Sequence, residues 1–133
     1  MLKVFPIQDK AEQQRLCERC GVTFRPELLA YQATVEDVFA GVCQFKLAPG
    51  GGIVYDLAPD KDRPVDLEAM FVMGRAALNF IDLCGIHHAF FDGDVEVPGE
   101  TLIRAIGFTK NEADRWEMDL TDFFTTPCKH CKS

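Results

Sequence analysis

The chain has 133 residues, room for one hydrophobic core and not for two domains. Its hydrophobic share of 47% and charged share of 26% are those of an ordinary globular protein. A net charge of −7 argues against nucleic acid or an anionic membrane as partner, since either needs a basic face.

"KVFPI" reads as a short first strand, and Asp9 opens a helix with Glu12 at capping-box spacing. Leu16 and Cys20 stand four apart on that helix, and Gly21 is its stop. The opening "MLKVFPIQDKAEQQ" lacks the apolar centre of a signal peptide, and no run is long enough to span a membrane, so the expectation is cytoplasmic. "FRPELLAYQATVED" enters a strand through a proline-marked break. "VFAGVCQFKLAP" and "GGIVYDLAP" give two more strands. The turns fall at Glu36-Asp37 and Pro49-Gly50-Gly51-Gly52, which makes an antiparallel meander.

A long helix follows, with Asp66 as N-cap and Gly85 as stop. Leu67, Met70, Phe71, Gly74, Ala77, Leu78, Ile81 and Cys84 share its apolar face. "HHAFFDGDVEV" reads as a strand, "ETLIRAI" as a short helix closed by Gly107, and "DRWEMDLTDFF" as a final strand or strand pair. Phe90, Phe91, Trp116, Phe123 and Phe124 are expected to fill the core between sheet and helices. The predicted fold class is α+β: a mostly antiparallel twisted sheet flanked by helices. Residues 1–133 form a single domain, with 125–133 as a cysteine-containing tail.

The meander running into the long central helix, and "LIRAIGFTKNEADRWEMDL" with its Gly107-Phe108 pair, resemble the GNAT-type N-acetyltransferases. The resemblance covers nearly the whole chain. It implies an acyl-CoA N-acyltransferase-like scaffold and acyl transfer from acetyl-CoA, or a similar thioester, to an amine or other small-molecule substrate. The acceptor is then expected between the fourth and fifth strands. Backbone groups of Ile53, Val54, Tyr55 and Leu57 would hold the pantetheine arm, with Arg63 near the phosphates. The resemblance also implies a tyrosine four residues before Gly107, where the sequence has Ile103.

Helix N-termini attract anions through free N–H groups and the helix dipole. Here the corresponding stretch "DKDRPVDLEA" has no glycine, Pro64 lacks a donor, and Asp66 caps the helix itself. Asp60, Asp62, Asp66 and Glu68 surround the site, with Lys61 and Arg63 opposing them, so a diphosphate is disfavoured there. Asp56 on the fourth strand and His87 on the fifth are the acid–base candidates; Tyr55 and His88 are the others.

"LCERCG" and "PCKHCKS" each contain a C-x-x-C pair. Cys17, Cys20, Cys128 and Cys131 would supply four thiolates for a zinc site clamping the tail to the first helix, with His130 as an alternative ligand. The competing reading is that Cys20 is an ordinary core residue; Cys43 and Cys84 are read that way. A reducing compartment argues against disulfides. A second functional class is thus open: a non-catalytic interaction or regulatory module on the same scaffold. The sequence points to no oligomeric state.

Overall fold

The structure, a computed structural model, describes residues 1–124. In chain order it contains β1 (Leu2–Pro6), α1 (Lys10–Cys20), β2 (Leu29–Val35), β3 (Val38–Lys46) and β4 (Gly52–Pro59). There follow α2 (Leu67–Leu83), β5 (His88–Phe91), α3 (Glu100–Ile106), β6 (Thr109–Lys110) and β7 (Trp116–Asp119). The seven strands form one sheet in the order β1-β2-β3-β4-β5-β7-β6. Every neighbouring pair is antiparallel except β4–β5.

Local signals account for the element ends. Asp9 and Asp66 are N-caps, accepting from the backbone N–H of Ala11 and Ala69. The Asp9–Glu12 capping box does not close: the Glu12 carboxylate is taken by Arg15 instead. Glu36 and Asp37 both have positive φ, the geometry of a two-residue turn that matches the twist of the hairpin strands. Gly85, at φ +87°, ends α2 just after Cys84.

α1 packs on one face of the sheet through Leu16, Cys17 and Cys20 against Ile7, Ala30, Val42 and Ala58. α2 and α3 cover the other face, above the larger core. The buried face of α2 also includes Ala69 and Met73, whereas Leu67 and Cys84 are exposed. Two expected strands are shorter than their apolar patterns. β5 runs only from His88 to Phe91, and β7 is four residues long. Phe91 and Trp116 are buried in the core, with Phe123 and Phe124 packed against it. Phe90 instead lies on the α1 side of the sheet, under the Arg115 guanidinium at 3.9 Å.

α2 sits close on the sheet because three side chains are missing there. A Cβ at Gly41 of β3 would come within 2.4 Å of Met70 and 2.6 Å of the Ala58 carbonyl oxygen. One at Gly52 of β4 would meet Ile81 at 2.6 Å, and one at Gly74 of α2 would meet Ile106 of α3 at 2.9 Å. We expect Gly41→Ala to destabilise the fold by roughly 1–3 kcal/mol through overpacking. Gly50→Ala, with nothing within 4 Å of the new atom, should stay near wild type. Thermal unfolding of the two variants checks this; equal melting temperatures would refute the close seat.

Candidate active site

β4 and β5 run side by side only where Gly52, Ile53 and Val54 pair with Ala89, Phe90 and Phe91. One further bond follows, from Asp92 N–H to the Val54 carbonyl at 2.8 Å, and then the chain after β5 turns away. β4 continues to Pro59, paired with β3 on its other side. Among the described residues no strand pairs with positions 55–59 on the β5 side, so the sheet splays there.

Within β4, Gln44 of β3 opposes Asp56 and Phe45 opposes Val54, leaving Tyr55 as an extra, bulged residue. On a regular strand, residues three apart face opposite ways. The bulge lets both Val54 and Leu57 enter the core under α2. It turns Asp56 and Ala58 toward the α1 side.

There Asp56 is held by one amide. Gln44 Nε2 donates to Asp56 Oδ2 at 2.6 Å and to the Thr23 carbonyl at 2.8 Å. Gln44 Oε1 accepts from Gln13 Nε2 at 2.9 Å and from Arg25 N–H at 3.1 Å. Gln44 is fully buried and has all four of its amide bonds filled, so it cannot turn without leaving buried groups unpaired. The Arg25 guanidinium lies 5.2 Å from the centre of the Tyr55 ring. Burial raises the Asp56 carboxyl above the usual aspartate range, outweighing the Gln44 hydrogen bond and the Arg25 charge, which pull the other way. The result is a half-buried carboxylate, more basic than usual, beside an open strand edge.

The structure does not bring His87 to this carboxylate. His87 precedes β5, at the end of the β4–β5 pair away from the splay, where Nδ1 donates to the buried Asp82 carboxylate at 2.6 Å. His88 Nε2 lies 3.0 Å from Glu117 of β7 and packs on Phe90. Ile103 is fully buried core. Gln44, Gln13 and Arg25 were not singled out from the sequence; the available signal was a glutamine inside the apolar run "GVCQF".

The start of α2 differs from the expected ring of four opposing carboxylates. Asp60 is buried and paired with Arg19 at 2.5 Å, and it also accepts from the Asp62 N–H. Asp66 Oδ1 takes the Ala69 N–H at 3.0 Å. Arg63 reaches back to the Phe39 carbonyl at 3.3 Å, and the Lys61 stem lies over Gly21. Asp60 and Asp66 are thus engaged within the protein, whereas Lys61, Asp62, Arg63 and Glu68 are exposed.

Cys17 and Cys20 are buried between α1 and the sheet, and burial pushes their thiols up to about 11 and about 12. Cys43 is buried too and is raised further by the same cause. Among the described residues no group of three or more His, Cys, Asp or Glu side chains could hold a metal ion. Cys128, His130 and Cys131 lie outside the described residues. None of the described helices is long and apolar enough to cross a membrane.

No family sequence profile matches the chain, and no curated protein matches it in sequence. Solved structures do match. A Bacillus subtilis acetyltransferase in complex with CoA superposes with a TM-score of 0.70 at 14% identity, over 90% of this chain and 99% of its own. The ribosomal-protein-S18-alanine N-acetyltransferase of Escherichia coli gives 0.66 at 10% identity, over 90% and 94%. A GNAT-family protein from Desulfovibrio desulfuricans gives 0.65 at 16% identity, over 90% and 99%. The chain therefore has the GNAT acyltransferase fold.

The raised Asp56 carboxyl carries a pH signature. The folded protein keeps this proton at pH values where the unfolded chain, near ~3.9, has released it, so stability falls as pH rises through that window. Asp56→Asn removes the ionisation. We expect it to melt above wild type at neutral pH, with the difference vanishing below the unfolded-state value. A variant less stable by the same amount at both pH values would contradict the assignment.

Proposed function

We propose that the chain transfers an acyl group from a coenzyme A thioester to an amine, with Asp56 as the general base. The observation that carries this reading is the half-buried Asp56 carboxyl, clamped by Gln44 beside the unpaired edge of β4. Similarity of fold to an acetyltransferase solved with CoA supports the choice of donor.

The residues at the two ends of the opening fit such a donor unequally. Backbone groups beyond Tyr55 that no strand pairs on the β5 side suit the amide-bearing pantetheine arm, which can bond to them as a neighbouring strand would. The start of α2 suits a diphosphate poorly, because Pro64 lacks an N–H and Asp66 occupies that of Ala69. A bound thioester would supply an activated acyl carbon. Asp56 would take the proton that an ammonium acceptor must lose before attack. An acidic chain also attracts a cationic acceptor. With Ile103 buried where a proton donor would stand, protonation of the departing thiolate falls to water, and catalysis rests on positioning.

The self-capped helix start favours a second reading, a non-catalytic module that has lost its nucleotide grip. One experiment separates the two: acyl transfer to a panel of amines, followed by mass spectrometry, with acetyl-CoA and with S-acetylpantetheine as donors. We expect turnover with both donors at comparable kcat/KM, because little binding comes from the nucleotide. Asp56→Asn should lower kcat by about 10²–10⁴-fold with donor affinity kept. No transfer with any amine, and no thermal stabilisation by either donor, would favour the module.

A further inference from the structure

Arg25 lies in the loop between α1 and β2, and the buried amide that holds Asp56 also holds its backbone. Gln44 Oε1 accepts from the Arg25 N–H at 3.1 Å while Gln44 Nε2 donates to Asp56 Oδ2 at 2.6 Å. The Arg25 carbonyl in turn accepts from Gln13 Nε2 at 3.3 Å and from the Leu28 N–H at 3.0 Å. One side chain that cannot turn thus fixes the backbone of this cation relative to the carboxylate. The guanidinium carbon stands 5.2 Å from the ring centre of Tyr55, the bulged residue where β5 leaves β4. Its charge is near enough to Asp56 to oppose the effect of burial on that carboxyl.

The guanidinium itself has no partner to bond. Arg15, Arg19, Arg104 and Arg115 pair with carboxylates, and Arg63 and Arg75 donate to backbone carbonyls. Among the described residues the Arg25 side chain makes no ion pair and no hydrogen bond, although the chain carries a net charge of −7. Arg115, the other guanidinium near Tyr55, is already committed. It grips Asp92 through two bonds of 3.0 and 2.9 Å and lies over the Phe90 ring. Arg25 therefore offers a planar fork of five N–H donors, packed on a ring beside the proposed base, with a geometry that matches a carboxylate.

We propose that the acceptor amine is a free amino acid, its carboxylate taken by Arg25 and its ammonium by Asp56. The inference rests on the acyl-transfer reading and names the substrate class of that same site. A cation and an anion held at a fixed separation select a ligand with the opposite charges at a matching separation. A simple amine leaves the guanidinium unmatched, and a second acid group meets Asp56. The ammonium passes one proton to Asp56, and the amine nitrogen bonds to the acyl carbon as the C–S bond breaks. Its second proton goes to water, and water protonates the departing thiolate.

Acetyl transfer by the full chain to the standard L-amino acids and to their carboxamides, followed by mass spectrometry, tests this. We expect at least one acid to be used with a kcat/KM ~10-fold or more above that of its amide. Arg25→Gln keeps the backbone bonds to Gln44 and Gln13 and should raise KM for that acid by ~10-fold or more. Arg25→Lys should recover part of the loss, whereas Asp56→Asn should lower kcat. Binding without turnover separates this inference from the reaction itself. Amide shifts of Arg25, Tyr55 and Asp56 should move saturably with the acid in the wild-type chain and not in Arg25→Gln. If those shifts appear and no amine is acylated, the acyl-transfer reading fails and the amino-acid site stands. Equal use of acids and amides, an equal loss on both in Arg25→Gln, or no saturable shift with any acid overturns the proposal.

Discussion

The close seat of α2 on β3 and β4 is the contact from which the rest of the architecture follows. Gly41 and Gly52 leave the sheet surface bare where Met70 and Ile81 land, and Gly74 lets Ile106 of α3 press in from the side. A glycine inside a helix costs about 1 kcal/mol against alanine. Burying one large aliphatic side chain contributes about 1.5–3 kcal/mol. The fully buried Ile106 therefore more than offsets Gly74. With the helix so near, β4 must send both Val54 and Leu57 inward, and only an extra residue between them allows it. The bulge at Tyr55 is that residue, and Asp56 faces the α1 side as its consequence.

Charge follows a similar logic of internal satisfaction. Asp60 is one of few charged side chains this deeply buried, and it is matched by Arg19. Gln44 links Gln13 and Asp56, so α1, β3 and β4 are joined under α1 by side-chain hydrogen bonds that exclude alternative rotamers. Such a network, fully satisfied at its centre, holds one carboxylate in one place. At the start of α2, Arg19 is paired with Asp60 and Asp66 takes the Ala69 N–H, which leaves fewer donors there for a phosphate.

Much of the fold could be read from residue order. Periodicity located α2, and the cap residues Asp9, Gly21 and Asp66 marked ends that the structure keeps. The lengths of β5 and β7 could not be read that way. An alternating stretch such as "DGDVEV" looks like a strand whether or not a partner lies beside it, and here the pairing with β4 reaches only Phe91. Asp56 was visible as a carboxylate on a strand, but its orientation was not, because a bulge reverses the face of every residue beyond it. Gln44 gave only the faint signal of a polar residue in an apolar strand. The contact among Tyr31, Phe45 and Phe80 was invisible for a plainer reason: the three rings come from three separate elements.

The central claim is that the bulged, splayed edge of β4 is where a thioester's pantetheine arm binds. Amide hydrogen exchange with and without S-acetylpantetheine tests it most directly. The account expects protection to rise within residues 55–58 and to stay unchanged at β1 and β2. Protection appearing elsewhere, with residues 55–58 unaffected by a saturating thioester, would contradict it.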